Sequence, residues 1–225
     1  MKDKKDKEIL PLKGINFDDI LLVGGKNASL GEMTRELSGE GINIPDGFAL
    51  TTNFYWKFLR ENGIDKKLKE IFKKYNPKSI KSLQETGKKS RKLIMAGKVP
   101  KYLEDGLFAA YRELGKKYGK NIPVAVRTSG VCEDMPNASF AGQFETYLNV
   151  RGEKELMVAV RNCIASTFSD RAIAYRHDKN VKQLEFGLSI GIIKMVRSDI
   201  GSSGIMFSLD TETGFPDVVL INSIW

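Results

Sequence analysis

The sequence predicts an α+β fold, with helices dominating its first half and short strands its second. Two patterns carry this expectation. Between Phe54 and Lys120, apolar residues such as Leu68, Ile71, Phe72, Leu83, Leu93 and Ile94 recur among lysines at helix-like spacing. From Ile122 onward the apolar residues fall instead into runs of strand length, separated by polar stretches that contain glycine. With 225 residues, 41% of them hydrophobic, the chain can bury a substantial core, and it shows no repeat or low-complexity tract.

The first eight residues form a charged tail, and folding information starts near Ile9. Ile20-Leu21-Leu22-Val23 reads as a strand-like run that ends at Gly24-Gly25. Leu30, Met33 and Leu37, at i, i+3 and i+7, then describe a helix that opens near Asn27 and stops at Ser38-Gly39. Residues 42–50 are expected to be extended, since Pro45 and Gly47 oppose a helix. Thr51-Thr52 can cap the next helix, whose Phe54, Tyr55, Trp56 and Phe58 open the lysine-rich helical region of residues 54–120. Asn76-Pro77 and Gly97-Lys98-Val99-Pro100 interrupt that region.

Residues 122–225 read as the strand-rich part. Pro123-Val124-Ala125-Val126 is a short strand ending at Arg127, and Thr128 to Gly142 reads as a long loop. Glu145 to Val150 is extended again. Leu156, Val160, Cys163 and Ile164 mark a helix, and Ser166 to Arg176 a second one. Leu188, Ile190 and Ile192 alternate with Ser189 and Gly191 as in a strand. Gly204 to Leu209 and Val218 to Ile221 give two more, joined across the turn Asp210-Thr211-Glu212-Thr213-Gly214. The chain stops at Trp225, one step beyond an apolar β run, which reads as a truncation.

Charge and cysteine content narrow the function classes. The formal net charge is +8, but residues 57–120 hold 19 basic and 7 acidic side chains, or +12, and the remainder carries −4. The excess therefore lies on the solvated faces of amphipathic helices, and no basic-aromatic module accompanies it, which argues against nucleic acid as a partner. No run approaches the ~20 apolar residues of a membrane span, and the N-terminus MKDKKDKEIL lacks a signal-peptide core, so a cytoplasmic location is expected. Cys132 and Cys163 make neither a metal-type pair nor a disulfide framework and read as ordinary thiols.

Two stretches carry chemistry. In Val23-Gly24-Gly25-Lys26-Asn27-Ala28-Ser29-Leu30, backbone amides at a helix start, together with an ammonium, suit phosphate oxygens. The spacing is not that of a P-loop, and a plain glycine turn with an exposed lysine fits the same residues. In Ala125-Val126-Arg127-Thr128-Ser129-Gly130 a guanidinium is mounted at a strand end, where its fork of donors can hold a phosphate. The same loop continues to Gly142 and Thr146, a glycine allowing close backbone approach and a hydroxyl able to bond a ligand. A structural loop with Arg127 in a salt bridge is the alternative.

The segments VGGKNASLGEM, VAVRTSG, ASFAGQFETYLNVRG, STFSDRAIAYR, MVRSD and SGIMFSLDTETGFPDVV, in this order, resemble the nucleotide-binding region of the phosphoenolpyruvate synthases (pyruvate, water dikinases). Similar segments occur in pyruvate, phosphate dikinases and rifampin phosphotransferases; SFAGQFET and FSLDTETGF favour the synthases. The resemblance spans about Gly14 to Trp225 and is weakest in the lysine-rich stretch.

The resemblance implies an ATP-grasp-like fold, in which two α+β subdomains hold ATP between them, here C-terminally incomplete. It implies that Lys26 and Arg127 contact ATP phosphates, with Arg127 the catalytic contact, and that Gly142 and Thr146 line the nucleotide site. Where the family places a glutamine before its Lys-Met-Val, this chain has Ile193, so an adenine-side contact is altered. The implied family reaction passes phosphate from ATP to a histidine and then to pyruvate, giving phosphoenolpyruvate, AMP and phosphate. His177 lies outside the Thr-Cys-His context of that carrier and reads as a helix-end residue. Magnesium is implied as well, with its ligands beyond Trp225; Glu133, Asp134, Asp210 and Glu212 are weak substitutes, and the metal ligands stay unknown. Alone, the chain is expected to be inactive. A non-catalytic nucleotide- or partner-binding module, or a basic nucleic-acid binder, are the competing expectations, and a homo-oligomer is compatible with each.

Overall fold

A short capping box launches the first helix where the sequence pattern suggested a strand. In the computed structural model, which describes residues 4–131, 134–135, 138–139 and 144–225, the Asn16 side chain accepts from the Asp18 amide, and Asp19 accepts the Asn16 N–H in return at 2.9 Å. This closes a 3-10 turn that feeds α1 (Ile20–Leu37), so Ile20–Val23 is a helical turn and not a strand. Four apolar residues in a row cannot distinguish the two by period alone. The helix is broken at Gly24 (φ 71°, ψ 163°) and resumes at Gly25. The charged segment ahead of it is tied down from Lys4 onward, through ion pairs Lys4–Asp19 and Glu8–Lys57.

Strand β1 (Ile9–Pro11) and strand β2 (Gly47–Leu50) precede four helices. Thr51 caps α2 (Thr52–Glu61) by accepting the Asn53 amide, as its position suggested. α3 (Ile64–Lys73), α4 (Ile80–Ala96) and α5 (Lys101–Tyr118) follow, separated at the two expected breaks. α5 buries Leu103, Leu107, Tyr111 and Leu114, one face of a 3.6-residue period. Its lysines and those of α3 and α4 stand on the opposite, exposed faces, several paired with acids on the same helix, such as Lys73–Glu70 and Lys116–Glu113.

The second half supplies β3 (Val124–Gly130), the short pair β4 (Asp134–Met135) and β5 (Ala138–Ser139), β6 (Thr146–Val150), α6 (Gly152–Ser166), α7 (Asp170–Asp178) and β7 (Leu188–Lys194). β3 does not end at Arg127: Thr128, Ser129 and Gly130 continue it, because each finds a partner on β7. The expected long loop is correspondingly shorter. The five-stranded sheet runs β1-β2-β7-β3-β6 with every neighbouring pair antiparallel.

The sheet has an apolar layer on each side. Phe48, Leu50, Val124, Val126, Leu188, Ile190 and Ile192 point into the larger core, shared with α2, α3, α5 and α6. Ala49 and Ile193 point the other way, into a small core with Leu10, Leu12, Ile15, Val23 and Ala28. β7 is therefore buried on both faces, and the Ser189 and Gly191 that alternate with its aliphatic residues face α1.

Residues 195–225 form a second unit. Its hairpin pairs β8 (Ser203–Phe207) with β9 (Leu220–Ile224), a displacement of one to three residues from the expected strand bounds. Asp210 organises the turn: its carboxylate accepts from the Glu212 amide at 3.0 Å and the Thr213 hydroxyl at 2.6 Å. These bonds, the hydroxyl's foremost, hold its carboxyl below the usual range.

Cys163 of α6 is fully buried, and burial pushes its thiol well above the usual range, with Glu145 adding to the effect. With the folded-state value raised, its contribution to stability is full below the unfolded thiol value of about 8.5 and is lost as pH rises beyond it. In a Cys132→Ser background, Ellman's reagent should therefore label Cys163 only on unfolding. Rapid labelling of the native protein at pH 8 would contradict this burial.

Candidate functional site

The kink in α1 is a close approach between helix and strand. A Cβ on Gly24 would stand 2.3 Å from the Ser129 carbonyl oxygen of β3, and its φ is positive, so glycine is required on two independent grounds. Beyond the kink the helix lacks a side-chain cap of its own. Ser129 provides one from across the fold: its Oγ accepts the Asn27 backbone N–H at 3.2 Å.

Ser129 lies two residues beyond Arg127, so both side chains are on the α1 face of the sheet. Arg127 sits at the middle of β3, opposite Thr146 on β6 and Gly191 on β7. Residues directly opposite in an antiparallel pair share a face, which places Thr146 beside Arg127. Lys26, in the first turn after the kink, is bracketed by Gly24 and Asn27, the two residues that contact Ser129. The fold thus carries Lys26, Arg127 and Thr146 to one side of one sheet. Lys26 and Arg127 are half-buried and Thr146 is exposed. Arg127 forms no ion pair with another described residue, so the salt-bridge alternative is not realised among them.

The other expected residues sort differently. Gly142, Cys132 and Glu133 lie outside the described residues. Ile193 is buried in the small core and pairs with Ala125 and Gly47, so its side chain serves packing. His177 is exposed in the last turn of α7. Among the described residues no group of three or more His, Cys, Asp or Glu could hold a metal ion. Asp210, proposed above as a weak substitute ligand, already uses both carboxylate oxygens in its turn. The arrangement therefore offers cations and amides to an anion, and it offers no metal cradle among these residues.

Three residues at this face were not singled out from the sequence. Asn27, Ser129 and Ser189 are all at most 1% exposed. Asn27 Nδ2 donates to Ser189 Oγ at 3.0 Å, and Ser189 Oγ donates to the Leu50 carbonyl at 2.7 Å. The one available signal was a serine at an inward position of an otherwise aliphatic strand.

Among the described residues no helix is long and apolar enough to cross a membrane. The chain is 47% identical over 224 residues to the phosphoenolpyruvate synthase of Aquifex aeolicus, covering 99% of this chain and 26% of that protein. It is 47% identical over 214 residues to the phosphoenolpyruvate synthase of Helicobacter pylori, with 95% of this chain and 26% of that protein covered. For the phosphoenolpyruvate synthase of Escherichia coli the identity is 44% over 211 residues, or 94% of this chain and 26% of that protein. The chain thus spans about a quarter of the length of the relatives it matches. The sequence profile described as "Pyruvate phosphate dikinase, AMP/ATP-binding domain" matches residues 20–225, which takes in α1, the whole lysine-rich segment and every strand from β2 onward. By that match the chain belongs to the pyruvate phosphate dikinase AMP/ATP-binding domain family.

Proposed function

We propose that this chain is the N-terminal ATP-binding region of a phosphoenolpyruvate synthase, with Lys26 and Arg127 holding the phosphates of ATP. The observation that carries the reading is the docking of the α1 kink onto β3. It brings the first turn of a helix, where amides and the positive end of the macrodipole favour anions, to the face that presents Arg127. The guanidinium supplies a planar fork for phosphate oxygens, and the ammonium a point charge. Thr146, across the ladder from Arg127, adds a hydroxyl at the rim. Gly142 is assigned to the same site by its motif.

In this reading the fold is ATP-grasp-like, and residues 54–120 are a solvated helical layer and not a nucleic-acid surface. Positively charged groups stabilise the charge that spreads over the transferring phosphoryl oxygens, which is the role given to Arg127. Magnesium, when bound, would neutralise phosphate charge in the same way, though the described residues assemble no ligand set for it. Transfer to a histidine carrier and then to pyruvate is assigned to the remaining three quarters of the relatives' length.

Melting curves with and without ATP test the site. At a ligand concentration a hundredfold above Kd, binding adds about 2.7 kcal/mol, which for a chain of this size raises Tm by roughly 5 to 10 °C. Lys26→Ala and Arg127→Ala are each expected to reduce that rise to within error while leaving the ligand-free Tm nearly unchanged. Equal shifts in wild type and both variants would place the nucleotide elsewhere.

A further inference from the structure

The buried Asn27 side chain spans the gap between the first turn of α1 and the centre of the sheet. Its backbone N–H is held by Ser129 Oγ of β3, and its Nδ2 by Ser189 Oγ of β7, which passes the chain of bonds to the Leu50 carbonyl at the end of β2. One residue therefore ties the helix start to three adjacent strands. The orientation of the amide is set by chemistry. The Leu50 carbonyl can only accept, so the single Ser189 hydroxyl proton goes to it, and Ser189 Oγ must in turn accept from an N–H of Asn27.

The strand opposite is shaped to this side chain. A Cβ at Gly191 would stand 2.4 Å from Asn27 Oδ1, so a larger residue there would have to displace the amide. Gly191 is also the β7 partner of Arg127. The amide thus rests against the register position that faces one proposed phosphate contact, and it immediately follows the other, Lys26. Asn27 Oδ1 has no hydrogen-bond partner among the described residues. An apolar residue of the same outline would remove this unpaired acceptor while costing Ser189 Oγ one donor, so the balance of buried hydrogen bonds does not by itself account for an asparagine at this place.

We infer that Asn27 is a positioning residue, whose side-chain tether to Ser189 holds the first turn of α1 at the height over the sheet that sets Lys26 to grip phosphate alongside Arg127. The inference rests on the phosphate-site reading above. It assigns Asn27 no contact with the ligand; its effect passes through the backbone of Lys26.

The test uses Asn27→Leu, which keeps the branched outline of the side chain, leaves the Ser129 bond to the backbone and the Ser189–Leu50 bond in place, and removes only the tether. Ser189→Ala removes the same tether from its other end, together with the Ser189–Leu50 bond. Affinities for ATP and for inorganic tripolyphosphate are measured by calorimetry, with melting temperature as the control and Lys26→Ala as the reference. The expected result is a loss of about tenfold in both affinities, the scale of one hydrogen bond to a charged group, in Asn27→Leu at an undiminished melting temperature. Ser189→Ala should lose affinity to the same degree. Wild-type affinity in Asn27→Leu, with Lys26→Ala impaired, overturns the positioning role and leaves the phosphate site standing. A melting temperature lowered in Asn27→Leu with affinity retained makes the tether structural only and likewise overturns it. If Lys26→Ala binds both ligands as well as wild type does, the phosphate-site reading itself falls, and this inference falls with it.

Discussion

Replacing Gly24 by alanine is expected to lower the unfolding free energy by about 3 kcal/mol. Roughly 1 kcal/mol, the lower end of the range for a backbone conformation open essentially to glycine alone, arises from holding an L-residue at φ 71° and ψ 163°, and about 2 kcal/mol from driving a methyl group into packed atoms. The obstacle is the backbone of Ser129, 2.3 Å from the new carbon, which cannot swing away as the tip of a flexible side chain would. Gly41 provides an internal comparison, since its φ is 80° yet nothing lies within 4 Å of the position a Cβ would take. Gly41→Ala should therefore cost only the backbone share, about 1 kcal/mol. Urea unfolding with a common m-value separates the two, and equal losses would mean that the kink is not pressed against β3. Gly24→Ala should also abolish the ATP-dependent rise in Tm, because the turn that carries Lys26 is lifted from the strand that carries Arg127.

Arg176→Ala is expected to cost about 3 kcal/mol, in the range of a large side chain deleted from a core. Arg176 is 1% exposed, and its guanidinium lies 4.5 Å from the Phe186 ring centre and 5.7 Å from that of Phe168. Its Nε donates to Gln183 Oε1 at 2.9 Å, and Gln183 in turn donates to the Ile173 carbonyl, which fastens the segment after α7 back onto that helix. The aliphatic stem and the stacked head both fill volume among aromatic rings. Arg176→Met, which fills much of that volume without a buried charge, should recover more than half of the loss. If methionine is as damaging as alanine, the charge and not the packing governs the site.

Local patterns and long-range pairing were unequally legible in the sequence. The helical character of the lysine-rich segment and its breaks at Asn76-Pro77 and Gly97–Pro100 followed from spacing and from proline and glycine alone, because a helix satisfies its hydrogen bonds within itself; the break at Asn62-Gly63, between α2 and α3, was not read from the sequence. Lys26, Arg127 and Thr146 were visible as chemistry-bearing residues beside glycines. Their convergence on one face was not, since it depends on β6 and β7 flanking β3, and register between distant strands leaves no mark on a single local stretch. The same cause hid the true end of β3: Thr128, Ser129 and Gly130 are weak strand formers by themselves and are recruited by partners on β7. Ile20–Val23 failed for the opposite reason, its helical turn being decided by the capping box just ahead of an ambiguous apolar run. Asn27, whose side chain bonds a serine 162 positions away, had no local signature at all.

The position of β7 between β2 and β3 has a consequence for how the chain matures. Before Leu188 to Lys194 is synthesised, the sheet can exist only as two detached hairpin-like fragments, β1 with β2 and β3 with β6, each with a bare inner edge. The strand of this sheet that is synthesised last is the keystone that joins them. Because closing such distant pairs is slow, a nascent chain halted short of that strand would keep two sticky borders open to chaperones or to other nascent chains.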